Sequence, residues 1–350
     1  MTSLTQVAIM ARKSIRYGIF LIIFIMVGKV VLDASVSIYK KVFPAPPPAP
    51  TVKFGKLTKI HFPKKDTAIK FTYVLETPEG GLPTNISTQA KVFFIPKINP
   101  NLLSLDVATE KAKALGYPNE PQQDSDTIYK FVNPNFPSVL KTNIVTGTFS
   151  ISYDLAADRT PIETKPPVAE VGAAEFRSVL SESSTLPDDL TGPSTHEFFK
   201  LSDGRLVPAL SLSEANLVKV NLFRKSYDNL PSMTGNPNEA NVWAIMSGSS
   251  NRGQQIIAAE YHYFLVDESQ FSTYPIKTPQ QAYQELQNGE AYMADIGVNK
   301  EGASLKIRRV YLAYFDPEIE SDFYQPIYVF EGDNGFTSYV PAVTADYYGE

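Results

Sequence analysis

The chain has 350 residues, 43% of them hydrophobic and 12% aromatic, enough apolar side chain for two domains or a row of small modules. Net charge is −5, but the segment through Phe43 carries six of the 32 Lys/Arg and one of the 37 Asp/Glu, leaving the remainder at about −10. An acidic body argues against nucleic acid and direct adhesion to anionic lipid, and the absence of cysteine excludes disulfides, thiol-held metal and a lipoprotein anchor.

The first predicted element is a membrane helix. Arg12, Lys13 and Arg16 lead into an apolar run from Tyr17 to Gly28, which resumes at Val30–Leu32 and closes at Lys40-Lys41. Residues 17–39 are long enough to cross a hydrocarbon core of roughly 30 Å. The basic cluster keeps residues 1–16 cytoplasmic and sends the bulk of the chain outward. A cleaved signal sequence is the alternative, since the 12-residue apolar run also fits its hydrophobic region. Lys29 interrupts the run, with Asp33 one turn later on the same helix face. It either snorkels to the interface or contacts another protein's membrane helix.

Residues 40–52 hold the proline-rich FPAPPPAP, an extended spacer. In the region 53–100, the alternating Ile69, Phe71, Tyr73 and Leu75 and the run TQAKVFFIP predict a β-hairpin. A first α+β module spans 101–160: a helix capped by Ser104 and stopped by Gly116, then strands including TGTFSISYDL. A second spans 161–270, with a helix from Val168 to about Ser181 and a meander of EFFKL, RLVPAL and ANLVKVNLF. A third spans 271–350. There Thr278-Pro279-Gln280-Gln281 reads as a capping box with proline at N1, Ala282, Tyr283 and Leu286 form the buried face, and Gly289 ends the helix. Three strands follow, the last two joined by Gly332-Asp333-Asn334-Gly335. The fold class is therefore α+β: an N-terminal transmembrane helix, then repeated units of one helix plus an antiparallel meander.

Few residues point to chemistry. His61, His196 and His262 are far apart in sequence, and no phosphate loop, dinucleotide fingerprint or nucleophile elbow is present. The acidic stretch of Asp316, Glu318, Glu320 and Asp322 fits a solvated turn better than a calcium site or an acid–base pair, the latter being what a carboxylate-dependent hydrolase would need. Arg308-Arg309 breaks strand alternation, as a bulge does, and with Tyr328 and Tyr339 makes a candidate exterior contact face. No cofactor, metal or small-molecule substrate is expected.

From Leu217 onward the order of elements is distinctive. LVKVNLF, the hairpin NVWAIMSGSSNRGQQIIAAEYHYFLVD, the helix KTPQQAYQELQNG, the strand IRRVYLAYFD and the pair QPIYVFEGD and FTSYVPAV follow one another. This order is similar to the C-terminal region of the YycH/YycI superfamily of extracytoplasmic regulatory proteins, and to PepSY-type modules. The resemblance implies a single membrane helix, an outward α+β body and non-catalytic action on a protein partner. On this reading the protein is a single-pass cell-membrane protein that binds a membrane or envelope protein, with Lys29 and Asp33 as its helix contact. A structural component of a secretion or pilus machine is the alternative.

Overall fold

The structure, a computed structural model, describes residues 4–42, 48–64 and 69–349. Residues 43–47 of the expected spacer and the first two of the expected strand at Thr67 lie outside this range. The chain divides into two compact units, residues 1–49 and 50–350.

The first unit is one continuous helix, α1 (Leu4–Val42). Within it Ile9–Tyr39 has a mean hydropathy of 2.4, and it is the one helix among the described residues long and apolar enough to cross a membrane. None of that span is buried against protein, which suits either a membrane anchor or a signal sequence.

The second unit mixes helix and sheet. Its elements begin with β1 (Thr72–Leu75), β2 (Gln89–Phe94) and α2 (Ser104–Ala114). A run of strands follows: β3 (Gln122–Gln123), β4 (Ile128–Val132), β5 (Ser138–Asn143) and β6 (Phe149–Tyr153). After α3 (Ala169–Glu182) come β7 (Ser194–Ser202), β8 (Arg205–Pro208), β9 (Leu217–Leu222), β10 (Ser232–Met233) and β11 (Val242–Met246). The short α4 (Arg252–Gln255) leads to β12 (Ile256–Tyr261) and β13 (Asp267–Pro275). The last part holds α5 (Pro279–Asn288), β14 (Tyr292–Asp295), β15 (Ser304–Phe315), β16 (Phe323–Tyr324), β17 (Pro326–Gly332) and β18 (Thr337–Pro341).

Among the described residues these strands make three sheets. The largest runs β3-β4-β5-β6-β12-β11-β9-β7-β8, all antiparallel, so strands from residues 101–160 and 161–270 share one surface. Helix α3 packs on its β9 and β7 strands. Gly172 permits the close approach: a Cβ there would meet Val220 at 3.3 Å. Phe176 and Leu180 then fill the core with Val218, Val220 and Ala244. The second sheet runs β1-β15-β17-β18-β14, with β10 beside the end of β15. Helix α5 packs on one face of it, seating Ala282 and Leu286 against Tyr328, Phe330 and Val340. Ile60 and Phe62 cover the other face at Ile327, Val329 and Tyr339. A three-stranded sheet, β13-β2-β16, completes the unit.

Local sequence signals explain the helix ends. Thr278 accepts a bond from the Gln281 amide while the Gln281 side chain accepts from the Thr278 amide, and Gly289 at φ 79° closes α5. Gly116, at φ 97°, stops α2. The expected cap at Ser104 differs: Leu103 is the N-cap residue, and Ser104 Oγ accepts from the Asn101 amide in the preceding loop.

Two strand expectations are corrected. β1 and β2 do not pair with each other: β1 lies parallel to β15, and β2 lies between β13 and β16. The linker between them holds Pro78, Gly80, Gly81 and Pro83 and is too long for a tight hairpin loop, which favours two to five residues. β8 and β9 both flank β7 instead of pairing with each other. The Arg308 irregularity does coincide with a register shift between Ile307 and Arg309 opposite β17.

Candidate functional site

The sequence-predicted contact residues do not form one face. Tyr328 and Tyr339 are fully buried, on opposite faces of the second sheet, and the Tyr328 hydroxyl donates to the Lys277 carbonyl at 2.6 Å. Their expected exposure is wrong because β17 and β18 are covered on both sides, by α5 and by the segment around Phe62. Arg308 and Arg309 are exposed, but each is engaged locally. Arg308 makes a bidentate pair with Asp333 (2.6 and 3.0 Å) and reaches Glu76 at 3.0 Å, while Arg309 pairs with Glu331 at 3.0 Å. Lys29 and Asp33 are exposed on α1, four residues apart, in the other unit.

The acidic stretch after β15 does not converge either. Asp316 turns inward and is buried, Glu318 stands at the mouth of a cleft, and Asp322 pairs with Lys97 at 2.7 Å. The expectation of a wholly solvated turn therefore fails at its first residue. The reason is Arg224, which follows β9 and is itself buried.

Arg224 is the centre of a charge cluster inside the body. Its Nε lies 2.9 Å from Asp316 Oδ1, and a terminal nitrogen lies 3.3 Å from Asp189 Oδ2. The guanidinium also donates to the Phe264 carbonyl and stacks 4.2 Å over the Tyr263 ring. Tyr227 donates its hydroxyl to Asp189 Oδ2 at 2.6 Å. Burial works against the arginine charge, but Asp316, Tyr324 and Asp189 outweigh it and raise its pKa. Two carboxylates thus face one guanidinium. The surplus falls on Asp316: burial and then the Asp189 charge push its pKa up to about 6, against the pull of Arg224.

The sign of the consequence follows from linkage. A folded-state pKa above the unfolded value means that folding takes up a proton between about pH 4 and 6, so this group's contribution falls as pH rises through that window. Asp316→Asn should therefore gain on wild type by roughly 2–3 kcal/mol between those limits. Urea unfolding across pH 4–8 checks this; a constant difference between the two proteins would contradict it.

Beside this cluster lies a polar cleft of about 310 Å³, between β11 and β12 of the large sheet and β14 of the second. The Asn241 side chain, at its edge, donates to the Asp316 carbonyl at 3.0 Å. Trp243 sits opposite Glu260 across the β11–β12 pair, with Lys219 Nζ 4.4 Å over the indole and ion-paired to Glu239. His262 Nε2 lies 3.1 Å from Glu260 Oε2. That bond raises the His262 pKa, burial opposes it, and Glu318 across the cleft adds to the rise. Gly235 lets the opposite wall close: a Cβ there would stand 2.6 Å from the Pro63 ring. Phe62 stacks on Tyr292 at 4.6 Å, and Tyr292 donates to the Gly235 carbonyl.

Three carboxylates, Glu239, Glu260 and Glu318, line a recess with His262 and the single tryptophan of the chain, and Lys219 pairs with Glu239 beside it. Such a site suits a cationic or strongly hydrogen-bonding group. Sequence reading missed it because its residues come from five separate stretches, and only the placement of Trp243 and His262 on adjacent strands was in view.

No protein-family model and no curated protein matches this chain. Two solved structures are similar at low identity. An uncharacterized protein from Eubacterium rectale shares 13% identity, with 75% of this chain and 85% of that one covered, at a TM-score of 0.37. The Bacillus megaterium YpeB C-terminal domain shares 12%, with 71% and 95% covered, at 0.32.

Proposed function

We propose that this is a single-pass membrane-anchored protein whose body lies outside the cytoplasm and acts by binding a membrane or envelope protein, without catalysis. The observation that carries the reading is α1: an apolar span with no part buried against protein, led by three basic residues and followed by an acidic body. The cleft supports binding as the activity. His262 and the neighbouring Lys219 are paired to its carboxylates, and the remaining negative character suits a basic side chain of a partner. The antiparallel runs β3-β4-β5-β6 after α2 and β15-β17-β18 after α5 favour a PepSY-like reading of the body, with Lys29 and Asp33 as the contact to a partner helix.

Affinity purification of the full chain from detergent-solubilised membranes tests this. A partner recovered with wild type should drop about tenfold with Glu260→Lys, which puts a like charge against the basic group. It should also drop when Lys29 and Asp33 are both replaced by leucine. Recovery unchanged by both variants would overturn the reading.

A further inference from the structure

Helix α2 differs from α3 and α5 in what it offers the sheet beneath it. Its buried positions are Ala108 and Ala112, where α3 presents Phe176 and Leu180. Above these short side chains a cleft of about 310 Å³, open to solvent along Leu103 and Val107, lies between α2 and the β5–β6 hairpin. Its walls are apolar, with Leu115, Leu140, Val145 and Phe149 among them, and Leu103 and Val107 stand exposed at the rim.

One charge faces this space. Lys111 lines the cavity, and among the described residues neither a carboxylate nor a hydrogen-bond acceptor reaches its ammonium. Desolvation lowers its pKa. The other polar side chains of the lining make local bonds, Asn101 and Asn143 accepting at Oδ1 from the amides of Leu103 and Val145. Thr142 donates to the Thr148 carbonyl, Ser104 accepts from the Asn101 amide, and the amides of Ile144, Val145 and Gly147 are bonded within the loop region. β5 is paired on both sides and so is β6, so no strand edge is free for an added peptide. A single cation over an apolar chamber calls for one anionic head on an apolar tail.

We propose that this cavity binds a medium-chain alkanoate, with its carboxylate on Lys111 and its tail between α2 and the β5–β6 hairpin. The volume accommodates a chain on the order of ten carbons. The acidic character of the body does not forbid it, because charges beyond roughly 8–10 Å are screened at physiological salt. The site is separate from the polar cleft and does not depend on that reading.

The test uses the full chain in nanodiscs and a decanoate carrying a diazirine on its tail, with labelled positions mapped by mass spectrometry. Labelling should concentrate in residues 103–115 and 140–149 and be displaced by plain decanoate. Lys111→Met should weaken labelling about tenfold while leaving that of the matching decanol probe unchanged. Ala108→Leu, which fills the chamber, should abolish both. Labelling spread over the chain, labelling that neither variant alters, or displacement by an apolar peptide but not by decanoate would overturn the proposal. Melting temperatures of both variants separate loss of the site from loss of the fold; Lys111→Met removes a half-buried charge and should leave the fold intact.

Discussion

Replacing Arg224 by methionine should destabilise the body by about 3–5 kcal/mol, the cost of leaving buried carboxylates without their cation. Methionine keeps most of the stem volume, so the loss would report charge and not a hole. Asp189 and Asp316 are both buried, and Arg224 is the cation that reaches each of them. Because the cluster joins residues following α3, β9, β12 and β15, its failure should loosen the meeting of the large sheet with the second. Adding Asp189→Asn and Asp316→Asn to the methionine variant should recover most of the loss, since neutral amides carry a far smaller desolvation penalty. Urea midpoints at pH 7 decide the matter. A loss below about 1 kcal/mol for the single variant would mean that the carboxylates rehydrate or protonate at little cost.

The second large effect separates fold from surface on the same sheet. Tyr328→Ala should cost about 3–5 kcal/mol, as large-to-small changes of a buried aromatic do. The ring lies between Leu286 and the neighbouring strands, and its hydroxyl would also leave the Lys277 carbonyl without a donor. Tyr328→Phe, which keeps the ring, should cost only about 0.5–1.5 kcal/mol. By contrast Arg308→Ala and Arg309→Ala should each cost under about 1 kcal/mol, because exposed ion pairs contribute little. Guanidinium unfolding of the four variants checks the contrast. Equal small losses throughout would show that Tyr328 is not a core residue.

That contrast also marks where sequence reading stops. Helix α5 was legible to the residue, because its capping box, N1 proline and terminal glycine act within a few residues of one another. The hairpins β7–β8 and β17–β18 were legible for the same reason, since a short turn forces neighbours to pair. The partners of β1 and β2 were not, because each pairs with strands about two hundred residues away and no local signal selects among strands of similar pattern. Tyr339 was misplaced because alternation cannot tell that residues near Phe62 cover a second face, and Tyr328 because it lies under α5 on the first. The inward turn of Asp316 depended on Arg224, a pairing visible only once β9 and β15 are set in space. The polar cleft and the cavity under α2 are likewise products of assembly, although the alanines of α2 were in plain view.

Cysteine reactivity in intact cells tests directly whether the body stands outside the cytoplasm on an uncleaved helix. The chain has no cysteine, so Leu210→Cys, at a position 95% exposed, supplies one reporter on an otherwise unreactive background. Intact bacterial cells expressing this variant are treated with a membrane-impermeant maleimide, then fractionated and analysed by mass. The account predicts labelling before lysis, on a membrane-bound chain that retains residues 4–42. Labelling only after lysis, or a labelled soluble chain lacking that helix, would contradict it.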